Sequence, residues 1–218
     1  MKKLLIYGIN QFAEMMKYYI EQQNKYEIEA FVMEQKYITE KYFCGLPIVA
    51  FEDVSTIYPS NNYEIFLAIG YREMNQIRSK KFYEFKDLGY TISSYISEKA
   101  IINTNSLGEG NIILENAIIG PFTQIGAGNI IWSGVNIAHH NIVGNFNFIA
   151  LSSSVAGNVI IKDNCFIGNN ATIKNGLTIN NLTLIGAGCY ISKDTECEDV
   201  YVPERVVKLN KISREVII

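Results

Sequence analysis

Two rhythms of apolar residues run along this chain, and one gives way to the other near residue 98. Up to residue 97, short apolar runs alternate with stretches whose apolar residues recur every three or four positions. Lys3 to Tyr7 predicts a strand. Gln11 to Gln22 predicts a helix, with Phe12, Met15, Met16, Tyr19 and Ile20 at helical spacing. Tyr26 to Met33 predicts a second strand and the strongly apolar Glu64 to Gly70 a third. A charged helix from about Arg72 to Leu88 and a last strand from Tyr90 to Ser97 complete the segment. Strands alternating with helices imply a small, doubly wound parallel sheet, so residues 1–97 are expected to form a Rossmann-like α/β domain.

From Ile101 the period is six. Ile101, Leu107, Ile113, Ile119, Ile125, Ile131, Ile137, Val143, Ile149, Val155, Ile161, Ile167, Ile173, Ile179, Ile185 and Ile191 are all aliphatic, and the register does not slip. The residue after each is often small, as at Gly108, Gly120, Gly126, Ala138, Gly144, Ala150, Ala156, Gly168 and Gly186. The fourth residue after it is usually small or medium, as at Ala117, Thr123, Ser153, Cys165 and Ala171. Such a hexad folds as one short strand and one corner, and three hexads close a triangular coil. The aliphatics then point inward and the small residues permit tight corners. Residues 98–218 are therefore expected to hold a left-handed parallel β-helix, an exception to the right-handed crossover rule. A flat sandwich would need irregular turns that break a strict period.

Lys and Arg number 19 against 22 Asp and Glu, a net charge of −3. That balance excludes the electrostatic footprint of a nucleic-acid binder or of a protein that seeks anionic membranes. No apolar stretch reaches the length of a membrane span. The opening Leu4-Leu5-Ile6-Tyr7 stops at Gly8-Ile9-Asn10, too short for a secretory signal. Cys44, Cys165, Cys189 and Cys197 are scattered without metal-ligand spacing, so reduced, buried thiols in a cytoplasmic protein are expected.

Both histidines of the chain are adjacent, His139 and His140, two and three residues past the inward Ile137 and so at a corner. Imidazole is the side chain best suited to take a proton near neutral pH, and a solvent-facing structural pair is equally open. A zinc site fails on ligand count, since neighbouring coils offer no third histidine and no Cys, Asp or Glu set. Metal is not expected. Gly8-Ile9-Asn10-Gln11-Phe12-Ala13 fits the first and third positions of a dinucleotide fingerprint, but Asn10 stands where a pyrophosphate needs glycine, which disfavours NAD.

The segment Gly134-Val135-Asn136-Ile137-Ala138-His139-His140, then Ile142-Val143-Gly144 and Val155-Ala156-Gly157-Asn158-Val159, resembles the active-site coils of hexapeptide-repeat sugar acetyltransferases. The branch it resembles is the sialic acid O-acetyltransferase-like family, with its N-acetyltransferases of nucleotide-linked amino sugars. Ile185-Gly186-Ala187-Gly188 and Val202-Pro203-Glu204-Arg205-Val206-Val207 are similar to that family's last coil and exit segment. The resemblance implies acetyl-CoA as co-substrate, His139 as general base, and His140 where an acidic orienting residue is typical. It implies that the Gly157 N–H meets the thioester oxygen, and spacing puts Gly157 one coil beyond His139. By analogy Gly168, Ala187 and Gly188 face CoA in a homotrimer groove. The N-terminal domain would take the nucleotide-linked sugar, with Gly8, Asn10, Glu34, Gly70, Tyr71 and Arg72 at its strand ends. For Arg72, Asn75 and Arg78 a solvated helix face is the alternative. O-acetylation of a sugar hydroxyl, or a non-catalytic trimeric scaffold, remain open beside N-acetylation.

Overall fold

The computed structural model describes residues 2–204 of the 218 in the chain. Of the exit segment, Arg205, Val206 and Val207 lie outside the described residues. The first sheet is built from β1 (Lys2–Tyr7), β2 (Tyr26–Met33), β3 (Tyr42–Phe43), β4 (Leu46–Ala50), β5 (Tyr63–Leu67) and β6 (Thr91–Ile92). Its order is β3-β4-β2-β1-β5-β6, parallel except for the β3–β4 hairpin. Helices α1 (Gln11–Gln22), α2 (Val54–Ile57) and α3 (Gln76–Asp87) connect the strands. The hairpin was not expected from the apolar rhythm, because its two-residue arm carries no periodic signal. α3 starts later than expected. Glu73, Met74 and Asn75 all have positive φ, so the chain bends before the helix can begin.

The strand expected over Tyr90 to Ser97 is divided. Thr91–Ile92 pairs with β5, whereas Tyr95–Ile96 is already the first rung of a different sheet, paired with Ile112–Ile113. From there the chain winds as a left-handed parallel β-helix of two-residue strands on three faces. The first face carries Asn136–Ile137, the second Ile142–Val143 and the third Phe148–Ile149. Each pairs with the strand eighteen residues on, as Ile137 with Val155 and Val143 with Ile161. The interior is a column of aliphatics from Ile113 to Ile191.

At its start the expected register fails. Ile118–Ile119 pairs with Ile101–Ile102, so Ile119 stacks on Ile102 after seventeen residues instead of eighteen. Ile101 is 53% exposed and Ile102 packs against the core. Adjacent isoleucines make the two frames indistinguishable by pattern alone.

The small residues also act differently from expectation. A Cβ on Gly108, Gly120, Gly126 or Gly168 would come within 2.8 Å of backbone in the coil above, so close stacking requires glycine there. The corners themselves turn at another position, where φ is positive every six residues from Gly110 and Asn116 to Gly188. A second ladder runs inside one corner. Asn111 Oδ1 accepts from Asn129 N at 2.8 Å, Asn129 Oδ1 from Asn147 N at 2.9 Å, and Asn147 Oδ1 from Cys165 N at 2.8 Å. Each buried amide satisfies a corner N–H that would otherwise be orphaned.

The α/β sheet sits on the third face. Leu4, Ile6, Met16 and Phe31 share a core with Ile112, Ile130 and Phe148 of the prism. Asn75 and Arg78 are buried, not on a solvated face, because α3 docks on a prism corner. The Arg78 guanidinium donates to the carbonyls of Gly128 (2.9 Å), Phe146 (3.0 Å), Asn147 (3.2 Å) and Gly70 (2.6 Å). Burial pushes its pKa down to about 9. Asn75 Nδ2 donates to Cys165 O at 3.0 Å. All four cysteines are free; Cys165 and Cys189 are buried, whereas Cys44 and Cys197 are exposed, against expectation. No helix of the described residues is long and apolar enough to cross a membrane.

Candidate active site

The corner between the first and second faces holds the histidines. Thr123 Oγ1 donates to Ala138 O at 2.7 Å and accepts from Asn141 N at 3.2 Å. Asn141 Nδ2 donates to Ala138 O at 2.9 Å, and Asn141 Oδ1 accepts from Val159 N at 2.7 Å. These bonds fix the backbone on either side of His139 and His140, both of whose side chains are exposed. His139 Nδ1 lies 3.0 Å from His140 Nδ1. The imidazole of His139 rests on Gly157, one coil on: a Cβ at residue 157 would fall 2.6 Å from Cε1 and 2.9 Å from Nε2. Glycine at 157 is therefore what lets the ring lie there. Of His139, Gly157 and His140, expected together, all three meet at this corner.

The other expected residues divide among three places. Gly168 and Ala187 line a cleft of about 330 Å³ at the corner between the third and first faces, with Trp132, Phe148, Phe166 and Tyr71. Tyr71 stands edge-on to Phe148 and Phe166, each 5.0 Å away, and those two rings stack at 5.3 Å. Of this aromatic wall only Tyr71 was expected at a site, and there for the sugar; Phe148 and Phe166 read as ordinary outward residues of a strand face. Gly188 is the left-handed corner residue one step further, with open space where a Cβ would be. Within one chain the width of the first face separates this cleft from His139.

Glu34 lines a second, larger cleft of about 880 Å³ beyond the sheet's strand ends, with Lys36, Lys81, Glu84 and Asn164. The Tyr7 hydroxyl donates to Glu34 at 2.5 Å and Lys81 Nζ pairs with it at 2.8 Å. Burial pushes the Glu34 carboxyl up, but the hydrogen bonds from Lys81 and Tyr7 outweigh it, and the net direction is down. Burial and the Glu34 carboxylate raise the Tyr7 phenol. Tyr7 and Lys81 carry no motif and are found only through this contact.

Gly8 and Asn10 have structural duties. Gly8 is buried with φ of +126°, and a Cβ there would meet Ala68 O at 2.9 Å. Asn10 Oδ1 accepts from Ala13 N at 3.0 Å and caps α1. Gly70 spends its carbonyl on Arg78, and Arg72 is exposed. Among the described residues no three His, Cys, Asp or Glu side chains gather as a metal site.

The family described as bacterial transferase hexapeptide (six repeats) matches residues 158–193. No curated protein matches the chain in sequence. Among solved structures, the acetyltransferase domain of PglB from Neisseria gonorrhoeae is similar at 20% identity and a TM-score of 0.81, over 92% of this chain and 96% of that one. PerB from Caulobacter crescentus, in complex with CoA and GDP-perosamine, is similar at 23% identity and a TM-score of 0.79, over 95% and 98%. WeeI from Acinetobacter baumannii follows at 19% identity and a TM-score of 0.59, over 93% and 97%. At such identities the likeness establishes the fold: a small α/β domain set on a hexapeptide-repeat β-helix.

Proposed function

We propose that this protein transfers an acetyl group from acetyl-CoA to the amino group of a nucleotide-linked sugar, with His139 as general base. The observation that carries the proposal is the His139 ring lying on Gly157 with its Nδ1 engaged by His140. That leaves Nε2 as the nitrogen able to take a proton. The sugar amine attacks the thioester carbonyl, a C–N bond forms, the C–S bond breaks, and His139 passes the amine proton to the departing thiolate. The Gly157 N–H is suited to steady the oxyanion of the intermediate. Support for the substrates comes from proteins of the same fold. The PglB domain has been solved with acetyl coenzyme A, and a GDP-perosamine N-acetyltransferase with a histidine changed to alanine still holds CoA and GDP-perosamine.

The Gly168–Ala187 cleft and His139 lie on different corners, so a site using both needs two chains. We therefore infer a homotrimer of about 74 kDa, three times 24.6 kDa, with the CoA groove between subunits. The free thiols fit a cytoplasmic location. The test is thiol release from acetyl-CoA with a panel of nucleotide-linked amino and hydroxy sugars. Release is expected with an amino sugar; release with none of the panel overturns the proposal. Light scattering that finds a monomer at micromolar concentration removes the shared groove.

A further inference from the structure

The left-handed corner positions follow a chemical rule with a few exceptions. Of the positive-φ positions at step six, most are Gly or Asn, the residues that tolerate this conformation. In the corner column that holds the histidines the residues are Phe122, His140, Asn158 and Gly176. Two conform and two do not, and the two that do not touch each other. Phe122, at φ of +62°, is 71% exposed. Its ring centroid lies 4.7 Å from that of His140, tilted by 35°. An apolar ring held out into solvent on unfavourable backbone has no packing reason within the chain. Its contact is His140.

His140 is itself constrained three ways. Its φ is +56°, its N–H donates to Pro121 O at 3.0 Å, and Phe122 covers one ring face. The consequence is a tautomer argument. For His139 to accept a proton at Nε2, its Nδ1 must carry hydrogen and donate it across the 3.0 Å contact. His140 Nδ1 must then be a bare acceptor, so His140 carries its own hydrogen on Nε2.

We propose that His140 is a positioning residue, a neutral imidazole clamped by Phe122 that accepts a hydrogen bond from His139 and so fixes the base in its active tautomer. The proposal rests on the acetyl-transfer reading for its kinetic consequence, but its hydrogen-bond content stands apart from activity. In the transfer step the amine proton goes to His139 Nε2. The resulting imidazolium keeps Nδ1–H on His140 until Nε2 gives its proton to the thiolate.

Two measurements on the full chain test this. The chain has 2 histidines, so a nitrogen–proton correlation spectrum of the imidazoles can be assigned with one substitution. With both rings neutral, His139 is expected to be protonated on Nδ1 and His140 on Nε2; His139 protonated on Nε2 overturns the proposal whether or not the protein acetylates sugars. Kinetics supply the second test. His140→Asn keeps an acceptor near the Nδ1 position, whereas His140→Gly has none, and both residues accept the left-handed backbone. The Asn variant is expected to retain kcat within about threefold, and the Gly variant to lose about tenfold or more at unchanged KM for acetyl-CoA. A Gly variant as fast as the native enzyme, or an Asn variant as slow as the Gly variant, overturns the positioning role. A native chain that releases no thiol while showing the expected tautomers sinks the proposed activity and leaves the hydrogen-bonded pair standing.

Discussion

Two corners of the prism each carry a phenylalanine on left-handed backbone, and they are handled in opposite ways. Phe146, at φ of +56°, is 3% exposed and packs against Phe82 and Tyr83 of α3. Phe122 has nearly the same φ and stands open beside His140. Each backbone costs about 1 kcal/mol relative to glycine. At Phe146 the burial of an aromatic ring offsets that cost several times over. At Phe122 nothing in the chain does. Strain recovered by packing marks a structural corner, and strain left uncompensated marks a corner with another task.

The covered corner should be the fragile one, and the largest effect is expected at Arg78. Arg78→Met leaves the carbonyls of Gly128 and Phe146 without that donor in a buried seam, while Asn147 O keeps the Ile130 N–H. Two buried carbonyls unsatisfied at once cost about 4 kcal/mol. Urea unfolding followed by circular dichroism measures this, and a variant within 1 kcal/mol of native, roughly the error of such an extrapolation, would break the picture of a pinned seam. Next comes Phe146→Ala, which loses the ring but keeps the strain. It should cost about 3 kcal/mol by the same measurement.

How much of this contrast the amino-acid order reveals depends on what kind of interaction is read. The prism interior is legible because one residue type recurs at one spacing, so Ile113 to Ile191 declare their frame. The asparagine ladder is equally periodic at eighteen residues, Asn111, Asn129 and Asn147, but a search for apolar residues passes over it. The slip between Ile101 and Ile102 is illegible in principle, since exchanging two identical neighbours leaves the pattern unchanged. Arg78 is a different case. A charged residue in a charged helix reads as solvated, and its burial depends on carbonyls some fifty and seventy residues away. The His139–Gly157 contact was legible from the repeat arithmetic, and Phe122 follows from the same arithmetic applied to His140. The acidic and basic network of Tyr7, Glu34 and Lys81 was not, because it joins three elements with no shared period.

The open corner should behave in reverse, with activity moving and stability not. His139→Ala removes the proposed base from an exposed position, so the fold and CoA binding should be retained. Its kcat should fall by about a hundredfold or more, close to 2.7 kcal/mol in barrier. Steady-state thiol release and a CoA titration read the two quantities. Equal losses of kcat and of CoA binding would show that His139 holds the cofactor instead of moving a proton.

The smallest expected effect on stability is the most telling. Phe122→Gly removes an exposed ring and relieves left-handed strain worth about 1 kcal/mol, while the greater freedom of glycine in the unfolded chain costs folding a similar amount. The two nearly cancel, so the unfolding free energy should stay within about 1 kcal/mol of native, measured at matched protein concentration. The same change uncovers the His140 ring, whose orientation then relaxes. Thiol release should slow by severalfold, less than for His139→Ala, since the base itself remains. The comparison with Phe146→Ala is what gives the result meaning, because both variants delete a phenylalanine from the same position of the hexad. If Phe122→Gly destabilises as strongly as Phe146→Ala, then Phe122 is packed as Phe146 is, and the argument from uncompensated strain falls. If stability holds and activity holds as well, Phe122 does not govern His140. Stability unchanged with activity reduced is the outcome expected of a corner kept strained for its neighbour.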